Sequence, residues 1–151
     1  MVYRAIVEAI RLIDREIVRL AEEVYGDSYS LIRSVPGIGW LLGALILAEI
    51  DDVSRFSRAD CLKSYAGLAP RLRLSAGVAR YGRCRIANPY LRWAFYEAAV
   101  VAVRVDAELR GFYFRLVGRG KPRRVALVAV AGKLARRVWA VLYYGVPYRR
   151  R

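Results

Sequence analysis

The sequence predicts a mainly α-helical protein with a helix-hairpin-helix, a short basic β-hairpin or loop, and an N-terminal coiled-coil-like helix. Three observations predict it. Ile6, Ile10, Ile13, Ile17, Leu20 and Val24 recur at alternating spacings of 4 and 3 residues, the rhythm that keeps one apolar seam along a helix. The segment Ser34-Val35-Pro36-Gly37-Ile38-Gly39 separates two helix-like stretches, and its glycines permit a tight turn. The stretch from Val125 to about Tyr144 is apolar on most sides, as expected of a helix that runs through a core. With 57% hydrophobic residues in 151, the chain can fill such a core, and the low-hydrophobicity signature of disorder does not apply. The division that follows is a helix over 1–26, a main domain over 27–145 and a basic tail over 146–151.

Each element has a local reason. Gly26 and Asp27 end the first helix, in keeping with glycine just past a helix C-terminus. Its seam suits a partner helix, although an amphipathic helix packed on its own domain has the same pattern. The SVPGIG segment and the apolar stretch Trp40 to Ile50 read as the helix-hairpin-helix, where free amides at the second helix's start can hold a phosphate; a turn between two core helices reads the same way. Asp51 and Asp52 resemble a cap for the next turn. Ser57, with Asp60 three residues on, resembles an N-cap for a helix from Arg58 to Ala66, stopped by Gly67 and Pro70. Arg71-Leu72-Arg73-Leu74 alternates like a strand, Ser75-Ala76-Gly77 reads as a turn, and Val78 to Ile86 returns as a second strand or a basic loop. Asn88-Pro89 caps a long helix with Leu91, Ala94, Phe95, Ala98 and Ala102 on one face. Asp106 starts a helix ending near Gly118, and GRGKPRR links it to the last helix, with Pro122 at that helix's start.

Charge points to a partner. Residues 1–60 hold 7 arginines and 10 acids, net −3; residues 61–151 hold 20 Lys+Arg and 3 acids, net +17. From Cys61 to Tyr96 there is no acid and there are seven cations. Such asymmetry suits a polyanion, because neutralising phosphates releases condensed counterions. Of 27 positive residues only Lys63, Lys121 and Lys133 are lysines, and arginine favours bidentate phosphate contacts. Asn88 is the one Asn and there is no Gln, so adenine reading by a side-chain amide has one available donor; the same scarcity suits a thermophile. The absence of histidine removes Ser-His-Asp and Cys-His catalysis. Two cysteines without a CxxC suggest free thiols in a cytoplasmic setting. The longest uncharged run, Ser34 to Ala48, is 15 residues, too short for a membrane span.

Taken in order, SVPGIG with an apolar helix ending LAEIDDVSRF, then YAGLAPRLRLSAG, NPYLRWAFYEAA and GKPRRVALVAVAGKLARRVW resemble the C-terminal transposase domain of the IS-one-ten insertion-sequence family. The likeness covers roughly residues 31 to 142. It implies a DNA-binding protein of DNA transposition and recombination, with a structured guide RNA as a further partner. It further implies an RNase H-like domain carrying four acids, absent from this chain, that supplies Mg chemistry in the full-length family; no cofactor is expected in this chain. The reactive serine of the family falls on Ser75. By its residues alone Ser75 is an ordinary turn serine, although Arg71, Arg73, Arg80 and Arg83 nearby suit a scissile phosphate. Nucleic-acid contacts are expected from Gly37, Gly39, Arg71, Arg73, Arg80, Arg83, Arg85, Arg92, Lys121, Arg123 and Arg124, with no metal ligand. Ala76 and Ala87 depart from the family, which carries glycine at both places. The expectation is a transposase fragment inactive alone, with Ser75 as nucleophile only when the acidic domain is supplied, and self-association through the first helix. The rival reading is a non-catalytic helix-hairpin-helix nucleic-acid-binding module.

Overall fold

The apolar stretch near the C-terminus becomes a central helix on which four other helices pack. The structure, a computed structural model, describes residues 1–75, 78–82 and 87–149, with backbone alone along 71–75 and 78–82. Its elements are α1 (Val2–Tyr25), α2 (Asp27–Arg33), α3 (Trp40–Ile50), a single 3-10 turn (Val53–Arg55), α4 (Ala59–Tyr65), β1 (Arg71–Ser75), β2 (Val78–Gly82), α5 (Pro89–Val105), α6 (Ala107–Gly118) and α7 (Arg123–Tyr144). The protein is mainly α-helical, and α7 packs against α2, α4, α5 and α6. Among the described residues no helix is long and apolar enough to cross a membrane.

Small side chains set the central packing. α5 buries Ala94, Ala98, Ala99 and Ala102 along with Leu91 and Phe95, and α7 buries Ala126, Val130, Ala131, Gly132, Leu134, Ala135 and Val138. Alanine at these positions lets the two backbones approach and keeps helix propensity high. Asn88 caps α5 by accepting from the Leu91 amide at 3.0 Å, with Pro89 in the first turn. Its amide nitrogen donates to Glu49 Oε2 at 2.6 Å. The one asparagine is therefore engaged in joining α3 to α5, which takes it out of base reading.

Asp106 is the buried charge among the described residues. Its carboxylate caps α6, accepting from the Leu109 amide at 2.9 Å, and Arg137 Nη1 lies 3.5 Å away. Tyr148 Oη donates to the same carboxylate at 3.4 Å, and the Tyr148 amide donates to Ser34 Oγ at 2.8 Å. Burial raises the Tyr148 phenol above its usual range, and Arg137, stacked on its ring, opposes the shift. The segment after Gly145 is thus tied down as far as Tyr148. Arg150 and Arg151 lie outside the described residues.

One local expectation is corrected. α4 begins at Ala59 with Arg58 as its N-cap and no side-chain cap. Ser57 Oγ instead sits 3.7 Å from Cys61 Sγ, and Asp60 takes a two-pronged contact from Arg136 at 2.7 and 2.9 Å. A guanidinium fork outbids a single amide for a carboxylate, and Arg136 is 76 positions away, invisible to a capping pattern.

The two glycines between α2 and α3 differ in kind. Gly37 has φ +84°, and a Cβ there would lie 2.1 Å from the Ala98 carbonyl oxygen and 2.9 Å from the Ala102 amide, so the turn presses directly on the α5 backbone. Gly39 has φ −90° and open space around the same position. Gly37→Ala is expected to cost about 2 kcal/mol or more, from positive φ and collision together, and Gly39→Ala about 0.5 kcal/mol or less. Urea unfolding of both variants checks this, and equal losses would contradict it.

Candidate nucleic-acid interface

The basic segment expected at 71–86 forms, in its described part, an antiparallel pair in which Arg71 faces Gly82, Arg73 faces Arg80 and Ser75 faces Val78. Arg83 and Arg85 lie outside the described residues, as does Cys84. Ser75 is the last residue of β1. Arg73 and Arg80 thus occupy partner positions in the backbone register.

The feet of this pair are clasped to the helical body. Leaving α4, Gly67 adopts φ +69° and donates to the Ser64 carbonyl at 2.9 Å, and Leu68 donates to the Lys63 carbonyl at 3.0 Å. On the side of α5, the Asn88 amide donates to the Tyr65 carbonyl at 2.9 Å. A Cβ on Gly67 would stand 2.5 Å from the Ala87 Cβ, so the two feet cross in contact. Arg92 closes the clasp by donating to the Gly67 carbonyl. Glycine at 67 answers both the positive φ and the contact.

Beside the feet runs a groove. One part, of about 490 Å³, is lined by Lys63, Gly67, Leu68, Arg92, Phe112 and the α7 residues Gly132, Lys133 and Arg136, among others. It continues, through shared Leu68, Arg92 and Val128, into a depression of about 340 Å³ lined also by Pro89, Trp93, Tyr96 and Arg124. Of the expected contacts, Arg92 and Arg124 are thereby brought together. Lys121 and Arg123 stand exposed at the start of α7, near Arg124 in sequence. Gly37 and Gly39 lie elsewhere, in a depression walled by Arg33, Pro36, Leu41, Val101 and Val105. The first-turn amides of α3 have no side-chain cap, but the surrounding wall is largely apolar.

Sequence reading missed Lys63, Trp93, Lys133 and Arg136 as groove residues. Lys133 and Arg136 are partly spent: Lys133 Nζ lies 3.5 Å from Glu108 and 4.3 Å from the Phe112 ring centre, and Arg136 grips Asp60. Among the described residues no carboxylate pairs with Lys63, Arg123 or Arg124. The legible signal was Gly132, a glycine inside a long helix, where an alanine is worth about 1 kcal/mol more; a Cβ there would lie 2.8 Å from Lys63 Cε.

The acid pair does not fit a magnesium site. Both Asp52 oxygens are engaged, Oδ1 by the Ser54 amide at 2.8 Å and Oδ2 by its hydroxyl at 2.6 Å. These contacts, the hydroxyl's first, hold Asp52 below the usual carboxylate range. Among the described residues no group of acids or cysteines converges on a metal-sized space. Cys61 is a free thiol, drawn below its usual range mainly by its contact with Ser57 and secondarily by Arg58.

Residues 29–114 match the family model described as "Transposase IS116/IS110/IS902 family". The chain is 36% identical over 141 residues, 91% of its length, to the insertion element IS116 uncharacterized 44.8 kDa protein of Streptomyces clavuligerus, covering 34% of that protein. It is 42% identical over 92 residues, 60% of its length, to the mini-circle putative transposase for IS117 of Streptomyces coelicolor, covering 22% of that protein. It is also 32% identical over 126 residues, 81% of its length, to the pilin gene-inverting protein of Moraxella bovis, covering 39% of it. The chain therefore spans between about a fifth and two fifths of these relatives.

Proposed function

Because this chain belongs to the transposase IS116/IS110/IS902 family, we propose that it is the nucleic-acid-binding part of a DNA transposition or recombination machine. The observation that carries this reading is the basic strand pair, with Arg73 set opposite Arg80 and both feet clasped to the body. Arginines at partner positions of a strand pair suit a run of phosphates. Lys121, Arg123 and Arg124, at the start of α7, extend the basic surface. DNA is the primary partner; a structured guide RNA offers the same phosphate chemistry to the same arginines.

Ser75 is the proposed nucleophile. Its oxygen would bond to phosphorus while a bridging oxygen leaves with the electron pair and takes up a proton as a sugar alcohol. The chain has no histidine to accept the serine proton, and its acids do not fit magnesium, so the reading assigns proton and charge management to an acidic RNase H-like domain. Arg71, Arg73 and Arg80 would hold the phosphate. The non-catalytic alternative keeps the same surface and drops the attack on phosphorus.

α1 supplies a proposed self-association surface. Ile6, Ile10, Ile13, Leu20 and Val24 are all exposed, between 44% and 66%, whereas Val18, Ala21 and Tyr25 pack on the protein's own core. A seam left bare over this length suits a second copy of the helix.

Three measurements check these readings. Affinity for duplex DNA should fall about tenfold or more between about 50 and 200 mM salt; a flat response would remove the electrostatic model. With a full-length relative's acidic domain added, Ser75→Ala should keep fold and DNA affinity and abolish a covalent protein–DNA adduct, and an adduct that persists would acquit Ser75. Finally, Ile6→Glu with Ile13→Glu should shift the protein from dimer or larger species to monomer in light scattering, since each buries a carboxylate in the seam. Those positions are cleaner than Ile17, which also touches the core. An unmodified protein that is monomeric at tens of micromolar ends that proposal.

A further inference from the structure

Trp93 is placed unlike Trp139. Trp139 is buried, donates its indole N–H to the Phe56 carbonyl at 2.8 Å and stacks on Tyr143 at 4.5 Å between ring centres. Trp93 exposes half its surface, with Tyr90 one turn earlier on α5 also exposed, and among the described residues its ring meets neither another ring nor a cation. The exposed indole leaves an aromatic face open to a stacking partner.

Its surroundings are those of a phosphate chain. Trp93 shares its depression with Arg92 and Arg124, and the depression runs into the groove holding Lys63. Lys63 lies across Gly132, where any side chain would collide with it. The α7 helix thus gives up helix propensity at the point where a lysine crosses the groove floor. Arg92 in turn holds Gly67, the residue from which the strand bearing Ser75 departs. Chain that follows the basic strands down to their feet meets this groove next.

We propose that the groove holds an unpaired nucleotide of a nucleic-acid strand, its base stacked on Trp93 and its flanking phosphates against Arg124 and Lys63. The inference rests on the nucleic-acid reading above and adds to it a site for single-stranded rather than duplex structure. Every base has a π-face, so stacking on tryptophan binds without demanding sequence. This agrees with a surface whose one asparagine is committed to capping. Cationic side chains flanking an aromatic platform are the usual combination for single strands.

The test uses the whole chain, intrinsic tryptophan fluorescence and three oligomers of about eight nucleotides, a length within the range of single-strand sites: oligothymidine, oligouridine and an abasic chain of equal charge. Oligothymidine should bind about tenfold or more tighter than the abasic chain, the lower range of what one stacked base contributes, and should quench the emission. Trp93→Ala should bring the two within about twofold and remove the quenching, while Trp93→Phe retains most of the preference. Lys63→Gln and Gly132→Ala, the second by displacing Lys63, should weaken base-bearing and abasic chains alike. Oligouridine matching oligothymidine assigns the site to either nucleic acid, and a gap between them to one. A wild-type protein that binds the abasic chain as well as oligothymidine overturns the stacked nucleotide and leaves phosphate binding standing; so does a Trp93→Ala variant that keeps the preference. If neither single strands nor duplex bind at low salt, the nucleic-acid reading itself falls.

Discussion

The close approach of backbone to α5 is the constraint from which the rest of the arrangement follows. Four buried alanines on this helix, Ala94, Ala98, Ala99 and Ala102, leave no side-chain bulk between it and its neighbours. α7 fills one side, and the turn after α2 presses Gly37 against the carbonyl of Ala98 on another. Small residues bury little apolar area each, so the stability of such a seam comes from packing density, which tolerates little change in volume. With α5 held, its first turn can act as the anchor of the basic strands: Asn88 ties to Glu49 and Tyr65, and Arg92 to Gly67.

The charges sort into two populations. Arg19 pairs with Glu16 and Glu23 along α1, Arg136 with Asp60, and Arg137 with Glu108 and Asp106. The exposed pairs on α1 contribute little to stability. The Arg137 network differs, since Asp106 is buried and leaving either partner alone would strand a charge. The other cations, on the strand pair, beside the groove and at the start of α7, have few acids to meet, because residues 61–151 hold only three. Glu108 and Asp106, two of those three, are consumed by Lys133 and Arg137.

The glycines divide by physical role. Gly37 and Gly67 both have positive φ and both lie against other parts of the same protein, one on α5 and one on Ala87. Their conformational freedom is used for internal packing. Gly39, with open space beside it, remains the glycine of the SVPGIG turn that an external group can approach. The wall of Val101 and Val105 next to that turn is apolar. The alanine at 87 also finds its reason: its methyl group is what Gly67 makes room for.

Local patterns carried the helices. The spacing of Ile6 to Val24, the Asn88-Pro89 start, the Asp106 cap and the breadth of the apolar face after Val125 each reflect forces acting within one or two turns, so neighbours in sequence suffice to read them. The family likeness came from the same kind of evidence, motifs in fixed order. Contacts between distant residues were not legible. Asp60 met Arg136 instead of capping α4, Tyr148 tied the tail to Ser34 and Asp106, and Lys63, Trp93 and Arg124 came to one groove from three helices. Such pairings depend on which helix faces which, a choice made by the fit of buried side chains across the whole core, and no window of sequence contains it. By itself the sequence determined the helical plan and the excess of positive charge; only the tertiary structure decided which cations meet an acid and which line the groove, because a charge is neutralised by whatever acid folding places within a few ångströms of it.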